Sequence, residues 1–153
     1  MGYYMDQMDQ KFFVAAEHIP AMVKAIHALA SRHELMGGAS YQNGEIVSRH
    51  YSWVNNNFVE VNDVKELFRK WRWSIELEDE NIVSIFFEGD KMGDDEVLMQ
   101  AIAPYVKAGS YIEMRGEDYS TYTFLGSAGL YQHMWRWCFD GKTMVEKYPT
   151  ITW

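Results

Sequence analysis

The chain has 153 residues, of which 48% are hydrophobic and 16% aromatic. A chain of this length buries roughly 70% of the surface that it exposes when unfolded, so it can form a full core without metals or disulfides. Acidic residues outnumber basic ones by 22 to 14, which gives a formal net charge of −8. This excess disfavours binding to nucleic-acid phosphates, so we expect no direct nucleic-acid contact and a protein partner with a basic surface.

The chain carries one cysteine, Cys138, which excludes an intramolecular disulfide and fits a reducing compartment. No apolar run approaches the ~20 residues of a membrane span, and "MGYYMDQMDQ" lacks the pattern of a secretory signal. We therefore expect a cytoplasmic protein without a membrane contact. No Pro-, Ser- or Gly-rich linker divides the chain, so we expect one domain over 1–153. The sequence does not indicate an oligomeric state.

The first part of the chain predicts strand, helix and loop in that order. "KFFVA" at Lys11–Ala15 is β-prone and is expected to pair with Gly2–Met5. A helix is expected over Ile19–Glu34, with Pro20 in its first turn. After it, "GGASYQNGE" is typical of a loop with a turn at Asn43-Gly44, and "SRHYSWV" of a short strand. The apolar stripe of this helix consists of Met22, Val23, Ile26, Leu29 and Ala30.

Two further helices are indicated by their first turns. Asn62 is a suitable N-cap for a helix whose buried face consists of Val64, Leu67, Phe68 and Trp71. A third helix is expected from Asp94 to Ala108, with a kink or a shortened last turn at Pro104.

The remaining segments predict strands. "WSIELEDENIVSIFFE" predicts a hairpin with a three-residue loop at Asp79-Glu80-Asn81 and with Asn81 left-handed. "SYIEMRGE" predicts another strand, and "WRWCFDGKTMVEKY" predicts a hairpin around Asp140-Gly141. The register of the first hairpin pairs Trp73 with Phe87, Ile75 with Ile85, Leu77 with Val83 and Arg72 with Glu88. The register of the second pairs Trp137 with Met144 and Trp135 with Glu146.

This order of elements predicts an α+β fold, with a mostly antiparallel sheet and about three helices packed on one face. The triplet "WRW" occurs at both Trp71–Trp73 and Trp135–Trp137. Strand alternation sends the tryptophans toward the core and the arginines to the outer face. There the arginines are expected to form a charge ladder rather than an arginine site for a ligand. Its expected members are Arg72, Arg136, Arg115, Glu76, Glu88, Glu113 and Asp140.

We find no motif that indicates catalysis, a cofactor or a metal site. The histidines (His18, His27, His33, His50 and His133) do not form a metal-binding motif. "EGDKMGDDE" at Glu88–Glu96 lacks the calcium-loop pattern and is typical of a turn that leads into a helix with an acidic first turn. We therefore predict no catalytic, cofactor-binding or metal-binding residues.

The segment "YSTYTFLGSAGLYQH" at Tyr119–His133 contains no Asp, Glu, Lys or Arg. It is expected to form either a protruding hairpin or arm at 119–133, suited to a protein contact, or a long hairpin folded back on the domain. Its candidate partner-binding residues are Tyr119, Tyr122, Phe124, Leu125, Leu130 and Tyr131.

Several segments resemble small, mostly uncharacterised proteins of phages and mobile elements. These segments are "MGYY", "YSWV", "ELFRKWRW", "IFFEGDKMGDDEVLMQAIAPYVKAGSYIEMRGED" and "WRWCFDGK". The resemblance implies a phage-type origin and a bacterial host cell, and it brings no catalytic residues. In similar proteins the step from "RGED" to "WRW" is shorter, so 119–133 resembles an insertion.

Three functions follow as hypotheses. The leading one is a non-enzymatic protein-binding module that inhibits a host defence system, as anti-CRISPR proteins do, with an acidic face that occupies a basic groove. The alternative is a small-molecule-binding protein that binds or sequesters nucleotides. Its pocket would combine Trp or Tyr rings with cations such as Arg115 or Arg136. The third, an enzyme with dispersed carboxylates or histidines, requires two convergent acids with shifted pKa values in one cleft.

Overall fold

The computed structural model describes residues 2–117 and 134–149. These residues form three α-helices, eight strands and several short 3-10 turns in an α+β arrangement. The strands are β1 (Met5–Lys11), β2 (Gly38–Gln42), β3 (Glu45–His50), β4 (Trp73–Glu78), β5 (Asn81–Phe87), β6 (Tyr111–Gly116), β7 (Met134–Phe139) and β8 (Met144–Lys147). The helices are α1 (Ile19–Ala28), α2 (Val64–Lys70) and α3 (Asp95–Ile102).

The main sheet has four antiparallel strands in the order β1-β6-β7-β8, and the pairs β2-β3 and β4-β5 form two separate hairpins. One face of the main sheet enters the core, where Ile112, Met114 and Trp137 join apolar residues of the helices such as Ile26 and Leu98. This confirms the predicted fold class.

The β4-β5 hairpin is joined to β1 through a glutamine side chain. The amide of Gln7 donates from Nε2 to the carbonyl of Ile85 over 2.9 Å, and its Oε1 accepts from the N–H of Phe87 over 2.7 Å. A primary amide has the same donor and acceptor as a peptide group. Gln7 therefore satisfies the β5 backbone as a neighbouring strand would.

The register of the β4-β5 hairpin is partly as predicted. Trp73 pairs with Phe87 and Ile75 with Ile85, but a bulge after Glu76 then pairs Leu77 with Ile82 instead of Val83. The predicted three-residue loop is wrong. Asp79 and Glu80 form a two-residue turn with φ of 51° and 66°. Asn81 is therefore free to serve as a strand residue, and its side chain accepts from the N–H of Ala16.

The second hairpin, β2-β3, lies where a loop and a short strand were predicted. Asn43 and Gly44 form its turn with φ of 54° and 81°, so the predicted turn is confirmed. Nearly every residue of both strands is half-buried or exposed. We call residues 38–50 the β-arm.

The first predicted helix starts correctly at Ile19 but ends six residues early, at Ala28. Two 3-10 turns, Leu29–Ser31 and His33–Leu35, complete the segment. The buried hydroxyl of Tyr51 donates to the carbonyl of Leu29 over 2.7 Å and to that of Arg32 over 3.2 Å. These contacts take carbonyls at the end of the helix, which explains why a regular helix does not continue.

The second helix buries Leu67, Phe68 and Trp71 of its predicted face, whereas Val64 is half-buried. The ends of the second and third helices differ from the prediction. The N-cap of α2 is Asp63 and not Asn62, because the Asp63 carboxylate accepts from the N–H of Glu66 over 3.1 Å. The third helix, α3, ends at Ile102 and not at the predicted Ala108. Pro104 lies in a 3-10 turn that follows it, so the predicted interruption at this proline is confirmed.

The predicted strand at Lys11–Ala15 is wrong, and so is the register of the last hairpin. The first strand is Met5–Lys11, and it pairs with β6 instead of with Gly2–Met5. In the β7-β8 hairpin Phe139 pairs with Met144, and Trp137 pairs with Glu146. The indole N–H of Trp137 donates to that carboxylate over 3.0 Å, which accommodates a glutamate opposite a core tryptophan.

Candidate functional site

The β-arm exposes apolar side chains over a nearly uncharged surface. Tyr41 is 66% exposed and Val47 58%, and both lie beside the similarly exposed Ile46. The only charged residues of the arm are Glu45 and Arg49. Exposed and contiguous apolar side chains on a soluble domain mark interaction surfaces.

The carboxylate of Asp94 fastens both ends of the β-arm. Its Oδ2 accepts from the N–H of Gly37, just before β2, over 3.0 Å. The same atom accepts from the N–H of Ser52, just after β3, over 2.8 Å. Asp94 precedes α3, so this pair of bonds holds the base of the arm against the start of a helix. Asp94 thereby ties both ends of the arm to the rest of the domain.

Trp53 lies three residues beyond the end of the β-arm and is 52% exposed. Its φ of 62° places a bulky residue in the left-handed region, where L side chains are disfavoured. The guanidinium carbon of Arg72 lies 5.0 Å from the indole centroid, a cation–π arrangement. An exposed indole is thus held on a strained backbone by a cation on one face.

Arg72 also has an unusual backbone, with φ of 69°. Its guanidinium lies between Trp53 and Phe87, whose ring centroid is 5.2 Å away. Its NH2 donates to the carboxylate of Asp95 over 2.9 Å and its NH1 to the carbonyl of Lys91 over 2.6 Å. Within the described part of the chain its buried Nε has no hydrogen-bond partner. Strained residues of this kind cluster at functional sites.

Two hollows adjoin Trp53. The first has a volume of about 340 Å³ and is lined by Trp53, Arg72, Gly89, Asp90 and Lys91. The second, also about 340 Å³, is lined by His50, Trp53, Val54, Asn55 and Asn56. Volumes of this size suit small ligands.

Lys91 lies at the rim of the first hollow. Its ammonium group is 5.2 Å from the centroid of the Tyr4 ring. Residue Gly2 packs against the aliphatic part of Lys91 and the edge of the Trp53 ring, since a Cβ at Gly2 would lie 2.7 Å from Cδ of the lysine. The alkyl stem is thereby confined, and the charged end stays beside the hollow.

The expected charge ladder is realised in part, and its tryptophans are in the core as predicted. Trp73, Trp135 and Trp137 are buried. Arg136 pairs with Glu113 over 2.9 Å across β6 and β7, as predicted. Its guanidinium carbon also lies 4.0 Å from the ring centroid of Tyr111.

Other members of the ladder have different partners. Arg115 pairs with Asp6 over 3.0 Å. Glu88 accepts from the hydroxyl of Ser74, and Asp140 accepts from N–H groups within its own turn. Arg72 opposes Glu88 only through a backbone bond, and its side chain turns inward because its left-handed φ removes it from the strand alternation.

The histidines of the described residues are scattered. His27 contacts the carbonyl of Val61 over 2.7 Å, and His50 contacts that of Tyr51 over 3.0 Å. Within residues 2–117 and 134–149, no group of three His, Cys, Asp or Glu side chains is placed to hold a metal ion. In the same ranges, no helix is long and apolar enough to cross a membrane.

Two acidic groups have raised pKa values. Burial raises the pKa of Asp95, although Arg72, the N–H of Gly93 and the indole of Trp73 act in the opposite direction. Burial and the nearby carboxylate of Glu146 raise the pKa of Glu96. Both oxygens of Glu146 accept a hydrogen bond, one from the indole N–H of Trp137 and the other from the hydroxyl of Tyr148. The hydrogen bond to Glu146 raises the pKa of Tyr148 to about 12.

The partner-binding residues predicted from the sequence lie outside the described residues. They are Tyr119, Tyr122, Phe124, Leu125, Leu130 and Tyr131, in the segment 119–133. The structure instead places an exposed hairpin with two charged residues, Glu45 and Arg49, at 38–50. Its sequence signal was the Asn43-Gly44 dipeptide between Tyr41 and Ile46, a strong indicator of a hairpin. The left-handed Trp53 and Arg72 have no comparable signal.

The fold and these surfaces define an α+β protein with a projecting β-hairpin and an exposed aromatic–cation cluster. Comparison with known proteins finds no matching family model, no matching curated protein and no matching solved structure.

Proposed function

We propose that this protein is a non-enzymatic protein-binding module of phage or mobile-element type that inhibits a host defence system in the manner of anti-CRISPR proteins. The observation that carries the proposal is the β-arm, which projects exposed apolar side chains from a base fastened by Asp94. The resemblance to phage proteins supports the setting.

The arm suits a protein partner for two reasons. Tyr41, Ile46 and Val47 present apolar area that water hydrates poorly, and its burial by a partner is favourable. Both strands also have an outer edge that no other strand covers within the described residues. Such edges are templates for pairing with a strand of another protein. The arm therefore fits an apolar cleft or an open sheet edge.

The charge distribution indicates the chemistry around that cleft. The turn of the β4-β5 hairpin carries four exposed carboxylates, and the whole chain has a net charge of −8. An acidic surface accelerates association with a basic partner and is screened by salt. The partner is therefore a host protein with a basic surface and an apolar recess for the arm. The four carboxylates belong to Glu76, Glu78, Asp79 and Glu80.

The test is affinity capture from a lysate of a bacterial host that carries the defence system. The bait is the full chain, compared with an arm variant that carries Tyr41→Ser, Ile46→Ser and Val47→Ser. A matched control carries Val59→Ser and Val145→Ser, two exposed apolar positions outside the arm. We expect a component of the defence system to be captured by the wild type and the control, less at high salt, and to be lost with the arm variant.

A plaque assay in the same host gives the functional readout. The wild type is expected to restore phage growth, and the arm variant is not. Equal capture by wild type and arm variant contradicts the role of the arm. Capture of no defence component, or restored growth by the arm variant, contradicts the proposed inhibition.

A further inference from the structure

We propose that the first hollow beside Trp53 is a binding site for a nucleoside monophosphate. In this arrangement the base stacks on the exposed part of the Trp53 indole, Asp90 accepts from the ribose hydroxyls, and Lys91 pairs with the phosphate. The site uses none of the side chains of the β-arm, so the inference does not rest on the proposed protein contact.

The indole is prepared for stacking. The guanidinium carbon of Arg72 lies 5.0 Å from the centroid of the Trp53 ring, on one of its faces. About half of Trp53 remains exposed to solvent. Because this half-exposed residue also lines the hollow, part of its ring surface is available to a planar ligand. Base–aromatic stacking is sequence-tolerant because every base has a π-face, and a ring that is already ordered loses less entropy when a base stacks on it. The contacts of Arg72 with Phe87 and Asp95 supply that order.

The polar lining matches the rest of a nucleotide. Lys91 brings an ammonium group to the rim of the hollow, where it lies 5.2 Å from the Tyr4 ring instead of in a salt bridge with a described residue. Asp90 brings a carboxylate to the same hollow. Carboxylates commonly accept hydrogen bonds from ribose hydroxyls, and lysines bind phosphate. Besides Arg72, which is bound to Asp95, the lining thus offers one carboxylate for hydroxyl groups and one ammonium group for a phosphate.

Two glycines and two strained residues shape the hollow. A Cβ at Gly89 would lie 2.7 Å from NH1 of Arg72, and one at Gly93 would lie 2.8 Å from its NH2. Only glycine allows the guanidinium to occupy this position beneath Trp53. With φ of 62° at Trp53 and 69° at Arg72, both residues have a backbone conformation that is unfavourable for L side chains. Such strain at an open hollow is typical of a ligand site.

The local charge favours a single nucleotide over a nucleic-acid strand. In the sequence, Glu88 precedes and Asp94 follows the residues 89–91 that line the hollow, and the net charge of the chain is −8. A nucleic-acid strand would bring several phosphates against this acidic surface, and Lys91 would neutralise the charge of one of them. A monophosphate brings its charge to Lys91 alone.

The experiment measures binding of AMP, GMP, CMP and UMP to the full chain by calorimetry and by thermal shift. Adenosine and inorganic phosphate are the partial ligands, and a short single-stranded oligoribonucleotide is the competitor. We expect at least one monophosphate to bind and to raise the melting temperature, more than either partial ligand does. The oligoribonucleotide is expected to bind more weakly than that monophosphate.

Two variants separate the roles of the side chains. Trp53→Gly removes the indole and suits the left-handed backbone, so the variant is expected to fold and to lose nucleotide binding. Trp53→Asn, which also tolerates this conformation, is the second test of the same position. Lys91→Met is expected to weaken the monophosphate roughly tenfold and to leave adenosine unchanged. The Tyr41→Ser variant of the β-arm is the matched control and is expected to bind as the wild type does.

Three results would overturn the proposal. The first is that none of the four monophosphates binds. The second is that folded Trp53→Gly or Trp53→Asn binds as tightly as the wild type. The third is that the oligoribonucleotide binds more tightly than every monophosphate, which would make the surface a nucleic-acid site.

Discussion

Arg72 donates to the carboxylate of Asp95 over 2.9 Å, and this carboxylate is almost entirely buried. The other oxygen of Asp95 accepts from the indole N–H of Trp73 over 2.9 Å, and the N–H of Gly93 also donates to the group. One buried side chain therefore connects the start of α3 with the entrance to β4, and it orients the cation on which Trp53 lies.

The Asp95→Asn variant tests this connection. The amide oxygen can still accept from Trp73, but the charge of Arg72 loses its partner in a mostly buried position. We expect the free energy of unfolding to fall by about 3 kcal/mol in urea titrations, because a buried charge is left uncompensated. Adding Arg72→Met should restore a large part of the loss, since removal of both charges is often nearly neutral. A double variant no more stable than Asp95→Asn would contradict this explanation.

The Gln7→Ala variant tests the side-chain bridge between β1 and β5. It leaves the N–H of Phe87 and the carbonyl of Ile85 without their partner in a partly buried position. We expect a loss of about 1–3 kcal/mol in the free energy of unfolding. Amide hydrogen exchange at Phe87 should accelerate. Gln10→Ala is the matched control. Gln10 accepts from the N–H of Ile85 in β5 over 3.4 Å, and the loss of this long hydrogen bond should lower stability less. Equal effects of the two substitutions would count against the role of Gln7.

The Asp94→Ala variant tests the fastening of the β-arm. Loss of the carboxylate frees the N–H groups of Gly37 and Ser52, so their hydrogen exchange should accelerate together with that of the arm. Asp63→Ala is the matched control, because it removes an N-cap, costs about 1 kcal/mol and lies outside the arm. We expect the control to lower global stability without selective exchange in the arm. The same exchange pattern in both variants would show that Asp94 does not hold the arm locally.

The Glu96→Gln variant tests the pH dependence. The pKa of Glu96 lies above its ordinary value of 4.5 in the folded chain, because of burial and the charge of Glu146. The folded chain thus holds this proton more tightly than the unfolded chain. This contribution to stability is complete below the unfolded pKa and is lost as the pH rises through the higher folded value. We expect Glu96→Gln to be more stable than the wild type at neutral pH, with little difference well below pH 4.5. Urea titrations across this range check the prediction, and a wild type that is the more stable protein at neutral pH would refute it.

Those parts of the fold that bury one face could be predicted from the sequence. The pairing of Trp73 with Phe87 follows from strand alternation, and the helix face of Leu67 and Phe68 follows from helical spacing. The turn at Asp79-Glu80 was not predictable in this way, because glutamate has no preference for the positive φ that Glu80 adopts, whereas Asn81, which does, is a strand residue. The conformation of this turn lets Asn81 bond to the backbone of Ala16.

The candidate site was less predictable for a related reason. The β-arm buries little, so its strands lack the apolar alternation on which strand prediction depends. Arg72 follows the strand pattern in the sequence, but its left-handed backbone directs the side chain to Asp95. The positive φ of Trp53 depends on tertiary contacts with Arg72 and with the segment around Gly93. Only the Asn43-Gly44 turn carried a local signal.

Hydrogen–deuterium exchange of the protein with and without its captured host partner tests the central claim most directly. If the β-arm is the contact, the amides of residues 38–50 should be protected in the complex more than any other described segment. Strands β4 and β8 serve as internal references. A stable complex in which the arm exchanges as fast as in the free protein would contradict the account.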